Sequence, residues 1–225
     1  MFHISDRWKT TFPEAHAGVL AMHDVVNPPS HTELDKRKIA LEQELRTRYA
    51  NQDRAALEQL PILQAYAAYY RRFKKTYHVQ LQLESIVFKN KVIPSVAALV
   101  EAMFMAEVKN LLLTAGHDLD MLHLPLILDV SQGAERHTLL RGQEQELKAG
   151  DMFIRDEVGV ISNIVYGPDQ QTAINAQTRN VVFTIYAPAG IGEETILNHL
   201  HDLKENVLLV APGAQVEVLQ VFGAR

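Results

Sequence analysis

Cysteine is absent from the 225-residue chain. That removes a disulfide scaffold, a thiolate nucleophile and every Cys-ligated zinc or iron–sulfur site. An excess of positive charge is missing too. There are 22 Lys and Arg against 27 Asp and Glu, a net charge of -5, so the broad cationic surface needed to hold nucleic acid by counterion release is not there. Only a local basic patch is open to it. Uncharged apolar runs fall well short of the roughly 20 residues that cross a bilayer, and the N-terminal MFHISDRWK lacks the apolar core of a signal peptide. The chain reads as a soluble cytoplasmic protein with no membrane partner. No Gly-x-Ser-x-Gly elbow, phosphate-cradling Gly-x-x-x-x-Gly-Lys or dinucleotide Gly-x-Gly-x-x-Gly occurs, so serine-hydrolase, ATP and NAD chemistry lose their usual signatures and no cofactor is expected.

What is present fits one domain over residues 1–225, with 47% hydrophobic residues to fill its core. The apolar run Ala17 to Val26 reads as a buried strand closed by Asn27-Pro28-Pro29-Ser30. From Thr32, taken as the cap, an amphipathic helix carries Leu34, Ile39 or Lys38, Leu41 and Leu45 on one stripe. A second helix spans Leu60 to Thr76, with Tyr66, Tyr69, Tyr70 and Phe73 three and four apart. Pro94 opens a largely buried helix over Ser95 to Leu113. The period then drops to two: Leu124 to Val130, His137 to Arg141, Met152 to Arg155, Gly159 to Tyr166 and Asn180 to Tyr186 read as strands. A helix over Gly192 to Leu208 and a strand over Gln215 to Phe222 follow. With a strand and helices in 1–93 and a buried helix and sheet in 94–225, the expected class is α+β around a mainly antiparallel sheet.

Three polar segments could do chemistry. Gly116-His117-Asp118-Leu119-Asp120-Met121-Leu122-His123 sits between a buried helix and a buried strand. Two His and two Asp there invite a metal, but no recognised ligand spacing is present, and no metal is expected. His199 and His201, two apart on a helix, point to different faces. Tyr166-Gly167-Pro168-Asp169-Gln170-Gln171-Thr172 is the second polar segment, and an ordinary turn would need only its Gly, Pro and Asp. The third, YYRRFKKTY, ends a helix with Arg71, Arg72, Lys74 and Lys75. Cations there complement the helix dipole; interleaved with aromatics, they also suit an RNA backbone and its bases.

PSVAALVEAMFMAEVKNLLLTAGHDLD, over Pro94 to Asp120, resembles the part of the B3/B4 domain of the bacterial phenylalanyl-tRNA synthetase β subunit that runs into a His-Ala-Phe-Asp-Leu-Asp type loop. AGDMFIRDEVGVISNIVYGPD, followed by Thr178-Arg179-Asn180-Val181-Val182-Phe183, is similar to that domain's strand, Gly-rich loop and closing strand. The order of elements agrees from about Ala17 to Phe222. The resemblance implies a free-standing form of this editing domain, which hydrolyses tyrosine wrongly esterified to the phenylalanine tRNA. Positioned water and the tRNA's terminal ribose would do the work there, with the protein supplying orientation and oxyanion donors. The family's loop histidine falls on Ala115, with His117 nearby, and the glutamate that reads the tyrosine hydroxyl falls on Gln170, beside Asp169.

On this reading His117 is the catalytic candidate, and Gly116, Asp118, Tyr166, Gly167, Asp169 and Gln170 bind substrate. Arg71, Arg72, Lys74 and Lys75 give a weak, transient tRNA contact. The partners are an aminoacyl-tRNA and an amino-acid-like small molecule. A binding module that kept the pocket without hydrolysis is the alternative. The two polar segments are expected to face one cleft.

Overall fold

The computed structural model describes residues 1–224. In chain order it runs β1 (Phe2–Ile4), α1 (Asp6–Thr11), β2 (His16–His23), α2 (Thr32–Arg48), α3 (Arg54–Leu57), α4 (Pro61–Arg71), α5 (His78–Lys89), α6 (Ala98–Asn110) and β3 (Thr114–Asp118). After a 3-10 turn (Leu119–Met121) come β4 (Leu126–Val130), β5 (Arg136–Thr138), β6 (Glu144–Glu146), β7 (Met152–Arg155), β8 (Val160–Asn163), β9 (Gly167–Pro168), β10 (Val181–Ala187), α7 (Glu193–Val210) and β11 (Gln215–Gly223). The strands form a five-stranded sheet in the order β1-β4-β7-β8-β9, a four-stranded sheet in the order β11-β2-β10-β3 and the β5-β6 hairpin. Every pairing is antiparallel except β1 with β4. This is the α+β, mainly antiparallel architecture that the pattern implies.

In the four-stranded sheet, β2 lies between β10 and β11, and residues 17–22 are all buried. An unbroken apolar strand of this kind is what a central position demands. Gly18 lets α7 come close: a Cβ there would stand 2.7 Å from Ile196 Cγ2.

On α2 the inward stripe is Leu34, Lys38, Leu41, Glu42 and Leu45, whereas Ile39 is 54% exposed. Lys38 takes the inward place because Glu101 waits there at 2.5 Å, with Ser95 Oγ at 2.9 Å; a buried ammonium needs such partners. The cap is also displaced by one. His31 Nδ1 accepts from the Leu34 amide, and Thr32 is the first helical residue.

Boundaries shift where side chains compete for the backbone. Instead of spanning Ser95 to Leu113, α6 begins at Ala98, with the Val96 amide tied to Glu101 Oε1. It ends before Leu111, whose φ of 61° breaks the helix. Helix α4 stops at Arg71 rather than Thr76. The sequence reading has no counterpart of α5, β1 or α1. The buried face of α5 includes Gln80 and Glu84 beside Val79, Leu83 and Ile86, which hides its apolar period.

The four tyrosines of α4 and its neighbour form a buried stack. Tyr66 and Tyr77 lie parallel at 4.0 Å, and Tyr70 packs 5.3 Å from Tyr77. Their hydroxyls reach the backbone: Tyr66 to Tyr186 O, Tyr70 to Ile164 O and Tyr77 to Leu111 O. Tyr69 donates to Asp151 Oδ1. This knot joins helices α4 and α5 to both large sheets, and so sets the wall against which α6 and β3 stand.

Candidate functional site

The site grows from the free edge of the four-stranded sheet. Strand β3 pairs with β10 on one side only. On its other side, the Thr114 amide donates to Glu107 Oε1 at 2.8 Å and the Asp118 amide to Thr172 O at 2.8 Å. Backbone groups alternate along a strand, so the Gly116 amide turns to that same open side. The segment around Thr172 covers the edge at His117, where His117 and Ala173 form a bridge, and a gap remains between that segment, Gly116 and α6.

A cavity of about 200 Å³ fills that gap. It is smaller than the roughly 300–1,000 Å³ of drug-sized sites, and suits a small ligand or a single side chain. Its walls are apolar, from Val100, Met103 and Phe104 on α6 to Pro168 and Ile174. The polar groups reaching it are Glu107, Thr114, Asn163, Tyr186, His78 and the β3 edge at Gly116. Burial pushes the Glu107 carboxyl up to about 8, against the pull of the Thr114 amide. Asn163 Oδ1 accepts from the Tyr166 amide at 2.8 Å, which fixes the carboxamide, and its buried Nδ2 has no partner. Tyr186 is spoken for: its hydroxyl pairs with Ser162 Oγ at 2.7 Å.

The structure brings the two expected polar segments together, but distributes their residues. Gly116 and Gly167 line the cavity. The His117 ring does not. It is 0% exposed, and its Nδ1 meets Thr172 Oγ1 at 2.7 Å. Thr172 Oγ1 in turn donates to Asp169 Oδ1, so the ring carries its proton on Nδ1 and donates it to Thr172. Burial lowers the His117 pKa to about 3. The expectation of His117 as a catalytic group at the cleft is therefore corrected: β3 is a strand rather than a loop, and at His117 its edge is covered by the Thr172–Ala173 segment, which buries the ring.

Asp118 caps the 3-10 turn through the Asp120 amide, and its Oδ2 accepts from Thr178 Oγ1 at 2.6 Å. Asp169 is buried beside Thr172. Asp169 and exposed Gln170 border a second, shallower depression with Arg136, His137 and Gly159. Tyr166 stands outside the cavity, at its rim, through Gly167. Among the described residues no group of three or more His, Asp or Glu is placed to hold a metal.

The sequence profile of the B3/4 domain matches residues 62–201, more than half of the chain. This chain belongs to the B3/4 domain family. Among solved structures it is similar to an N-terminal fragment of the phenylalanyl-tRNA synthetase β-subunit from Pyrococcus horikoshii, at 10% identity and a TM-score of 0.49, over 96% of this chain and 50% of that one. The chain thus spans half the length of that fragment. No curated protein matches it.

In this B3/4 domain the basic run divides. Arg72 is committed to the fold, its guanidinium 5.2 to 5.4 Å from the ring centres of Phe12, Tyr69 and Phe73. Arg71, Lys74 and Lys75 border an open groove with Arg54 and Tyr77. The groove and the cavity share no lining residue, but their walls are neighbours in the fold. Lys75 Nζ lies 5.5 Å from the centre of the Tyr166 ring, and Tyr77 in the groove is followed by His78 at the cavity. Reading the sequence missed Glu107 and Asn163. A carboxylate inside the apolar run of α6 was the available signal for Glu107; nothing local marks Asn163. Among the described residues no helix is long and apolar enough to cross a membrane.

Proposed function

We propose that this B3/4 domain receives the aminoacyl end of a mischarged tRNA and hydrolyses its ester in trans. The observation that carries this reading is a small, mostly apolar cavity beside β3 in a B3/4 domain, with the groove bordered by Arg71, Lys74 and Lys75 at and just after the end of the neighbouring α4. The groove suits a phosphate backbone; the cavity takes the amino acid. Water adds to the ester carbonyl carbon, the bond to the ribose oxygen breaks, and that oxygen leaves with a proton as a ribose hydroxyl. In this reading the Gly116 amide, on the side of β3 away from β10, is the oxyanion donor such a step needs. His117 serves from behind, holding Thr172 and through it the segment that closes one end of the cavity.

A binding module without turnover is the second reading. It is favoured by the absence of an ionised carboxylate among the described cavity residues at neutral pH, since Glu107 keeps its proton to about pH 8, which leaves the neutral His78 imidazole as the remaining side-chain base. Single-turnover incubation with a panel of mischarged tRNAs separates the two. Loss of ester from at least one member supports hydrolysis. Saturable binding of free amino acids with every ester intact supports the module. Replacing Arg71, Lys74 and Lys75 by Ala is expected to lower the slope of log affinity against log salt by about 0.7 for each phosphate no longer neutralised. An unchanged slope removes the groove from the reading.

A further inference from the structure

The cavity has a polar end that is incomplete. Glu107 offers one carboxylate oxygen to the Thr114 amide, and among the described residues no side-chain cation meets it: its neighbours from the surrounding elements are His78 on α5, Tyr66, Tyr70 and Tyr77 in the knot, and Tyr186 on β10. His199 on α7 approaches through Thr114, bonding its hydroxyl at 2.8 Å. Burial holds His199 at about 4 and shifts His78 downward, so neither histidine brings a full positive charge at neutral pH. Asn163, on the wall of the same cavity, holds out an amide N–H that no described residue accepts. A buried carboxyl lacking a cation and a buried donor lacking an acceptor both call for a ligand.

We propose that this end of the cavity is an amine-recognition subsite: Glu107 binds a primary ammonium group of the ligand, and Asn163 Nδ2 donates to an oxygen close to that ammonium. This rests on the aminoacyl reading above and deepens it. An aminoacyl ester carries an α-ammonium next to its carbonyl, the pairing these two side chains complement. The apolar walls then receive the side chain, and Glu107 selects aminoacyl over simple acyl groups. Water cannot stand in for such a ligand at equal strength, because a desolvated carboxylate gains far more from a fixed cation than from neutral donors.

The test compares two probes of the same shape, 2-phenylethylamine and 2-phenylethanol, by calorimetry on the intact chain. The amine is expected to bind at least tenfold more tightly at pH 8. Only the ionised carboxylate accepts an ammonium fully, and the probe amine remains charged in this range as a lysine does. Its affinity should therefore rise roughly 50-fold from pH 6 to pH 8, following the ionised fraction of Glu107. The alcohol should show no such rise.

Glu107→Gln, which keeps an acceptor for the Thr114 amide, should abolish both the preference and the pH dependence while leaving alcohol binding within about twofold. Equal binding of the two probes, a flat pH profile for the amine, no measurable binding of either, or an unchanged preference in Glu107→Gln overturns the subsite. Deacylation of mischarged tRNA is scored separately. Turnover without amine preference sinks the subsite and spares the editing reading; amine preference without turnover does the reverse.

Discussion

Two buried polar regions stand a few residues apart, and they are built on opposite terms. In the tyrosine knot every hydroxyl is used. Tyr66 donates to Tyr186 O and accepts from the Leu113 amide, and Tyr69 donates to Asp151 and accepts from the Met152 amide. Tyr69's partner Asp151 keeps one oxygen, Oδ2, without a bond, and in the cavity, among the described residues, Asn163 Nδ2 has no partner and Glu107 has no cation. Satisfied polar groups fix one arrangement of elements, whereas unsatisfied ones keep bonding capacity for something else. Polarity and burial are therefore poor guides to function by themselves. The remaining bonding capacity separates a joint from a site.

The contrast can be broken most sharply at Glu107. Its folded pKa of about 8 lies above the unfolded value of 4.5, so the folded state holds the extra proton between those limits. Stability must fall as pH rises from about 4.5 and level off above about 8. Glu107→Gln should remove this penalty and gain up to about 4 kcal/mol at pH 9 over wild type, while matching it near pH 5. Urea unfolding at the two pH values reads the difference; a Gln variant less stable at both would mean that the carboxylate is structural.

Tyr66→Phe should be the next largest, and of opposite sign. It strands both the Leu113 amide and the Tyr186 carbonyl, costing roughly 3 kcal/mol at any pH between 6 and 9. If its midpoint in urea hardly moves, the knot is not the joint described. Tyr77→Phe removes one bond, to Leu111 O, and about 1 kcal/mol is expected. Comparing the two variants by thermal melting sets the worth of the second bond.

Gly116→Ala should have the smallest effect on stability, about 1 kcal/mol. The new Cβ would stand 2.7 Å from Ile174 Cδ1, the mobile end of a side chain that lines the cavity. Ile174 must swing away, changing the cavity's shape. Probe affinity should thus drop severalfold while the melting curve stays nearly in place. Retained affinity would put the ligand elsewhere.

Much of the fold was legible in the residues. Strand β2, helix α7 and the late strands announce themselves by period and by turn residues. Less legible were places where a side chain far off in sequence completes the pattern. Lys38 turns inward only because Glu101, 63 positions on, supplies its counter-charge. His117 fell within a conspicuous polar cluster, but the bridge to Ala173, 56 positions on and invisible in the sequence, decides that its ring is buried against Thr172. Glu107 was hidden by the opposite effect: the second of two carboxylates in a helix of Met, Ala and Val looks incidental until β3 and β8 bring Gly116 and Asn163 to the same cavity. The family resemblance picked out two segments that both reach one cavity, at Gly116 and at Gly167. It did not assign the facing of their side chains.

The pairing of β2 also bears on how the chain reaches this fold. Its partners are β10, which begins at Val181, and β11, which begins at Gln215, so a wholly apolar strand near the start must wait for the last quarter of the chain. During synthesis at about 5–20 residues per second, that wait lasts roughly ten to forty seconds. Contacts this distant in sequence make folding slow and leave a sticky segment exposed meanwhile. His16 and His23 at its two ends, followed by Asn27-Pro28-Pro29, confine that segment to a single short strand, too brief to recruit a long run of neighbours into a misassembled sheet.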